Sequence, residues 1–234
     1  MLDYASLEDA LRDILQLKRR AVAIAFLQAP VARVPKLEGS RPSGCSFWSL
    51  AAEGRTFYTV PEDHHNCPIG SYTHNMPLPP GRQHELTETP ALLAEMGYVR
   101  MDEVPGVPRL PRTPPVTVYA PLADTPVAPD AVLLCGAPGH LMLLHEAATR
   151  TGTQPAGLLG RPTCMAIPAA LASGIASSLG CVGNGVYTGV ADDEFYTVVR
   201  GADLPAMVRE ITTITAANVM LAEYHRSRRL ALTS

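Results

Sequence analysis

The sequence predicts an α/β fold, with an α+β arrangement as the alternative, in which two similar halves form a single compact unit related by a pseudo-two-fold axis. Three observations support this fold class. Short apolar runs rich in branched residues alternate with amphipathic helical patterns. A proline-rich stretch at residues 105–129 divides the chain near its middle, and a cysteine, a short helix and a glycine follow one another on both sides of it. The chain of 234 residues is long enough to bury a sizeable core.

The first half, residues 1–104, carries patterns for three helices and two strands. Ser6, with Asp9 three residues later, resembles a capping box at the start of a helix. We expect a helix from Ser6, a strand at 21–27, a short helix at 46–53 ended by Gly54, a strand at 56–60 and a helix at 89–96. The segment 61–87 is rich in His, Pro, Gly and Asn, and a loop of this length inside a compact domain is typical of a functional region.

Residues 105–129 contain eight prolines. Proline lacks a backbone amide donor and fixes φ, so this stretch is predicted to contain neither a continuous helix nor a central strand. Residues 116–119 are expected to pair at most at a sheet edge. We interpret the segment as the crossover between the two halves.

The second half, residues 130–234, repeats the alternation of strand and helix. We expect a strand at 131–135, a helix at 140–150, a short helix after Cys164, a glycine-rich turn after Cys181, a strand at 195–199 and a final helix at 203–226. The apolar residues of the last helix recur at helical spacing and arginines follow at its end, where the helix dipole favours cations.

The two halves are most alike at their cysteines. The run from Cys45 to Gly54 resembles the run from Cys164 to Gly174, and each is followed by a second cysteine with a nearby glycine. The tetrapeptide Phe-Tyr-Thr-Val occurs at 57–60 and again at 195–198. If the halves are related by a two-fold axis, their two cysteine pairs meet at the interface between them.

Four converging thiols match the ligands of an iron–sulfur cluster or a tetrahedral zinc site. The expected metal ligands are Cys45, Cys67, Cys164 and Cys181. Cys45 and Cys164 lie at predicted helix N-termini, where the dipole lowers a thiol pKa. The expected cofactor-binding residues are His64, His65, Gly70 and Gly183, the glycines because they allow close backbone approach to sulfur. Cys135, at the end of an apolar strand, is expected to belong to the core.

These residues predict a thiolate-ligated metal protein, most simply an iron–sulfur protein with a redox or cofactor-related role on a small molecule. Haem is a further cofactor alternative. A second function is a non-catalytic module that binds a small molecule or haem, with structural cysteines. A third is a thiol enzyme with Cys67 as nucleophile and His64 or His65 as base. Whether the protein is an enzyme stays open at this point.

Composition narrows the partners and the location. The net charge of −3 gives no electrostatic footprint for nucleic acid. No stretch approaches the roughly 20 apolar residues that a membrane helix needs. Met1 to Tyr4 lacks the features of a secretory signal, and five cysteines suit a reducing compartment, so we expect a cytoplasmic protein. The expected partners are a small molecule or a redox protein, and a homodimer is left open.

Several of these motifs together resemble the uncharacterised family catalogued as domain of unknown function 169. The resemblance covers nearly the whole chain. It rests on Leu17-Lys18-Arg19 with the strand that follows, the Cys45 helix, the loop from Asp63 to Gly70, Pro129-Asp130, Cys164, and the run from Ser178 to Gly183. It implies that four of the cysteines belong to family motifs and that Cys135 does not. It implies no activity.

Overall fold

The computed structural model describes residues 3–233, and Met1 and Leu2, which entered the expectation about a leader, lie outside them. The strands are β1 (Val22–Leu27), β2 (Phe57–Thr59), β3 (Val116–Pro121), β4 (Ala131–Gly136), β5 (Leu158–Leu159), β6 (Ile175–Ser178) and β7 (Phe195–Arg200). They form one seven-stranded sheet in the order β2-β3-β1-β4-β7-β6-β5. Neighbouring strands are antiparallel except β5 and β6, which are parallel.

Helices cover both faces of the sheet. They are α1 (Tyr4–Leu15), α2 (Cys45–Ala52), α3 (Pro68–Thr73), α4 (Glu85–Glu95), α5 (Pro138–Arg150), α6 (Ala166–Ser173), α7 (Val182–Thr188) and α8 (Leu204–Thr233). Alternate residues of β4 point to opposite faces, so Leu134 joins the core under α1, α5 and α8, whereas Leu133 and Cys135 join the core under α2 and α6. The predicted α/β class, in a single compact unit, is confirmed, and Cys135 is buried in the core as expected.

The proline-rich segment holds the main error of the sequence prediction. β3 is not an edge strand, because it pairs with β1 on one side and β2 on the other, and all six of its residues are buried. Five of the eight prolines precede the strand and two follow it, and the eighth, Pro121, is its last residue. The interior Thr-Val-Tyr-Ala therefore keeps every amide donor that the ladder needs. This part of the crossover belongs to the sheet of the first half.

The remaining differences between the predicted and the observed elements have local causes. The first helix begins two residues earlier than expected, because the Asp3 carboxylate accepts hydrogen bonds from the amides of Ala5 and Ser6 and acts as the N-cap. The glycine-rich turn after Cys181 is the helix α7, and the run from Ile175 to Ser178, which carries no strong strand pattern, is an interior strand. α8 continues seven residues beyond its expected end.

The strand order is the same in each half when it is read outward from the centre of the sheet. β1, β3 and β2 lie on one side, and β4, β7 and β6 lie on the other, with β1 antiparallel to β4 at the centre. In this order β2 corresponds to β6, so the two Phe-Tyr-Thr-Val segments, in β2 and β7, do not occupy equivalent positions. The pseudo-two-fold relation stays a prediction, now supported by topology rather than by that tetrapeptide.

Gly201 shows how closely the backbone before β4 approaches the backbone after β7. A β-carbon at this position would lie 1.9 Å from the carbonyl oxygen of Pro129, and the Gly201 amide donates to the Asp130 carbonyl at 2.7 Å. Only glycine permits this approach of two backbones. Within residues 3–233, no helix is both long enough and apolar enough to cross a membrane.

Candidate functional site

Four cysteines stand at the beginnings of four helices on the same face of the sheet. Cys45 is the first residue of α2, Cys67 is the N-cap of α3, Cys181 is the N-cap of α7, and Cys164 precedes α6 in a short 3₁₀ turn. All four line one cavity of about 580 Å³, which we call the inner cavity. The predicted convergence of the two cysteine pairs is therefore observed, and each half contributes one pair.

The thiols are close enough to influence one another. Burial is the main cause that raises the pKa of Cys164 well above its ordinary value, and Cys45, Cys67 and Cys181 each raise it further. Burial also raises the pKa of Cys45 to about 12 and raises that of Cys67. The expectation that helix N-termini lower these pKa values is wrong, because desolvation outweighs the helix dipole at buried positions. The thiols of Cys45, Cys67 and Cys164 are neutral at physiological pH.

Protein groups already hold two of the sulfur atoms. The Gly70 amide donates to Cys67 Sγ at 3.3 Å, and Thr73 Oγ1 donates to Cys164 Sγ at 3.2 Å. A β-carbon at Gly70 would lie 3.1 Å from Cys67 Sγ, so the glycine does allow the close backbone approach that the sequence suggested. Gly183 lines the inner cavity, whereas Gly70 supports it from behind Cys67.

The prediction of an iron–sulfur or other thiolate-metal function is wrong. Among residues 3–233, no group of three or more His, Cys, Asp or Glu side chains could hold a metal ion. The four cysteines line the wall of the inner cavity, and all five cysteines of the chain are free.

The two histidines of the predicted site point elsewhere. His64 is buried, contacts the Phe47 ring with 4.7 Å between centroids, and shares a hydrogen bond of 2.9 Å with Thr59 Oγ1. Burial, followed by the nearby His74, holds the His64 pKa well below its ordinary range. His65 Nε2 lies 3.0 Å from the carbonyl of Pro77. No histidine lines the inner cavity, so neither ring is placed to act as a base toward Cys67.

The rest of the inner cavity is mostly apolar. α4 contributes Leu86, Pro90 and Leu93 to the lining, and the segment that follows it contributes further apolar residues. Three buried polar side chains also line the cavity: Ser43, Thr163 and Asn184. By geometry, neither the hydroxyl of Thr163 nor the amide group of Asn184 has a hydrogen-bond partner among the described residues, although the Asn184 side chain lies close enough to Cys45 and Tyr196 to lower the pKa of both. The inner cavity is therefore mostly apolar, with a few neutral polar groups and two charged side chains, Glu103 and Arg161, in its wall.

A second, larger space adjoins the first. This outer cavity has a volume of about 1190 Å³ and is more open and more polar. The residues that line both cavities mark their boundary, and they are Tyr98, Glu103, Val107, Arg161, Cys181, Val182 and Asn184. At this boundary the Arg161 guanidinium lies over the Tyr98 ring, 4.1 Å from its centroid, and the Val182 amide donates to the Tyr98 hydroxyl at 3.2 Å.

The sequence reasoning missed α4, Tyr98 and Arg161 as parts of the site. α4 was predicted as a helix without a role, although Leu86, Pro90 and Leu93 recur at the spacing of one helix face. That periodicity was the available signal. Tyr98 and Arg161 lie 63 residues apart in irregular segments, and no pattern in the sequence connects them.

Comparison with known families agrees with the resemblance seen in the sequence. A family model for domain of unknown function 169 (DUF169), described as "Uncharacterised ArCR", matches residues 10–210. The chain belongs to the DUF169 family. No curated protein and no solved structure matches this DUF169 chain. The match includes every cysteine and every residue of the two cavities.

Proposed function

We propose that this DUF169 protein binds a small, largely apolar organic molecule in the inner cavity. The observation that carries the proposal is a preformed space of about 580 Å³ with apolar walls and few polar groups. Cavities of roughly 300–1,000 Å³ with this kind of lining are typical of small-molecule sites. The cysteines act in this proposal as small, neutral wall residues, which fits their raised pKa values.

The size of the cavity sets the affinity to expect. A ligand of about 25 non-hydrogen atoms at about 0.3 kcal/mol per atom gains about 7.5 kcal/mol, which corresponds to a Kd on the order of micromolar. The proposal keeps the cytoplasmic location expected from the sequence, since five free thiols suit a reducing compartment.

The direct test places a tryptophan side chain of α4 inside the cavity. Leu93 is half-buried and lines the cavity, whereas its neighbour Leu92 is 56% exposed and does not line it. We expect wild-type protein to bind the neutral apolar fluorophore N-phenyl-1-naphthylamine with micromolar affinity. Leu93→Trp should weaken binding at least tenfold because the indole occupies the ligand's space. Leu92→Trp is the matched control and should leave the affinity unchanged.

Two results would contradict the proposal. The first is no binding of the fluorophore to folded wild-type protein at concentrations well above micromolar. The second is equal weakening by both tryptophan variants, which would place the fluorophore on the surface of α4 instead of inside.

The role given to the thiols is tested separately. Cys45→Ala and Cys181→Ala remove a wall atom each but no charge, so fluorophore affinity should change less than about threefold. A loss of binding in either variant, with the fold intact by circular dichroism, would show that the sulfur atoms take part in ligand chemistry.

A further inference from the structure

We infer that the ligand of the inner cavity carries a compact negatively charged group, such as a carboxylate, which Arg161 binds at the boundary between the two cavities. This inference rests on the proposed function and adds the class of ligand, an apolar monoanion. It starts from the one cationic side chain among the described residues that line both cavities.

Arg161 is held in place but not neutralised. Its guanidinium stacks on the Tyr98 ring, and the Tyr98 hydroxyl is in turn fixed by the Val182 amide. Within residues 3–233, the guanidinium forms no hydrogen bond and no ion pair. Stacking uses the face of the guanidinium and leaves its N–H donors in the plane free for a bidentate acceptor. A charged group at the edge of an apolar cavity, oriented in advance, is suited to fix one end of an amphipathic ligand.

Among the described residues, the other arginine that lies over a tyrosine ring differs in this respect. Arg109 also lies over a tyrosine, Tyr72, at 4.2 Å, but its donors are used by the Tyr72 carbonyl and by Asn75 Oδ1, both at 2.9 Å. Arg109 lines neither cavity. The pair of Tyr98 and Arg161 thus has the same stacking geometry as the pair of Tyr72 and Arg109, but the N–H donors of Arg161 remain available at the cavity.

The acidic residues nearby limit the size of the anion. Glu103 lines both cavities, and its carboxylate accepts the Arg100 amide at 3.3 Å. Asp192 and Glu194 line the outer cavity, and Glu194 is buried, with Lys18 at 3.9 Å. A long polyanion that extended from Arg161 into the outer cavity would approach these carboxylates and be repelled. A single carboxylate with its apolar body in the inner cavity avoids Asp192 and Glu194, which line only the outer cavity.

The test compares ligands that differ only in charge. Decanoate and 1-decanol share an apolar chain of the same length, and both are titrated as competitors of N-phenyl-1-naphthylamine at low ionic strength. Wild-type protein should bind decanoate about tenfold more tightly than 1-decanol. Arg161→Gln should abolish this preference by weakening the binding of decanoate far more than the binding of 1-decanol. Arg161→Lys should keep part of the preference, and Arg109→Gln, the matched control, should keep all of it.

The possible outcomes separate the two proposals. Fluorophore binding with equal affinities for decanoate and 1-decanol in the wild type overturns the Arg161 inference and leaves the cavity as a site for neutral molecules. A decanoate preference that survives Arg161→Gln also overturns it. Failure of the fluorophore to bind at all overturns the proposed function and this inference together.

Discussion

At the scale of single residues, the site depends on side chains that burial keeps uncharged. Cys45 and Cys164 are 7% and 6% exposed. Burial is the main cause that raises the pKa of the nearby Tyr119 hydroxyl, and the two thiols raise it further. The apolar part of a ligand is favoured beside these thiols because no charged group of this part of the wall has to lose its hydration when the ligand enters.

The raised thiol pKa of Cys45 predicts slow alkylation. With the pKa raised from 9.0 to about 12, the thiolate fraction at pH 8 falls strongly. The higher nucleophilicity of a more basic thiolate offsets part of this loss, and the net reaction is expected to be on the order of 50-fold slower than in unfolded protein. Iodoacetamide labelling followed by peptide mass spectrometry, with urea-unfolded protein as the control, measures the ratio. Equal rates in both states would contradict the neutral thiol wall.

The buried histidines predict a loss of stability in mild acid. Burial lowers the His74 pKa from 6.5 to about 4, and His64 is lowered as well. Because the folded pKa lies below the unfolded one, this contribution to stability is complete above pH 6.5 and is lost as the pH falls toward 4. His74 alone is expected to lower the free energy of unfolding by about 2 kcal/mol between pH 7 and pH 5.

Urea unfolding at several pH values measures this loss. His74→Gln should make the dependence on pH shallower, whereas His84→Gln, at a residue on the surface, should leave it as in the wild type. A wild-type free energy of unfolding that stays level from pH 7 to pH 5 would contradict the assignment of neutral, buried rings.

At the scale of elements, α4 is a part of the cavity wall that is attached mainly to other helical segments. Only Pro90 of this helix is fully buried, and its main contacts are with α3 and with the 3₁₀ turn at Met101–Gly106 rather than with the sheet. Elements with few buried apolar contacts open at low free-energy cost. α4 is therefore suited to admit a ligand to a cavity whose other walls are fixed.

This view of α4 predicts a hydrogen-exchange pattern that depends on ligand. Amides at residues 91–95 should exchange much faster than those of β4 and β7 in the free protein, and they should slow at least tenfold with saturating N-phenyl-1-naphthylamine. Exchange monitored by mass spectrometry measures both states, and Leu93→Trp should show no ligand effect. Equal protection of α4 with and without ligand would place the entry route elsewhere.

The elements also show what the sequence could predict and what it could not. The bounds of β1 and β4, which are unbroken apolar runs, were predicted to within one residue. A strand that is buried on both faces consists almost entirely of apolar residues, so its composition is enough to recognise it. β3 was predicted to pair at most at a sheet edge, because the prediction gave its flanking prolines more weight than the proline-free residues between them. β6 was missed because Ser177 and Ser178 are buried polar residues, satisfied by hydrogen bonds to Thr197 Oγ1 and the Gly160 carbonyl that no local pattern reveals.

At the scale of the whole molecule, the cavity lies where the two halves of the chain meet. Cys45 and Cys67 come from one half and Cys164 and Cys181 from the other, in corresponding places of the strand order. Their convergence could be predicted from the repeated cysteine and glycine pattern. Their chemistry could not be predicted, because the same four residues suit a metal centre or an apolar wall. Only their positions in the wall of a cavity of about 580 Å³ and the burial of the thiols distinguish the two.

The most direct test of the central claim is a crystal structure of the protein with 10-bromo-1-decanol, a neutral apolar molecule whose bromine can be located by anomalous scattering. We expect one dominant bromine peak in the inner cavity, between the four cysteines and α4. The same soak of Leu93→Trp should lose that peak. Bromine found only on the outer surface, with the cavity unoccupied at saturating ligand, would contradict the claim that this cavity is the binding site.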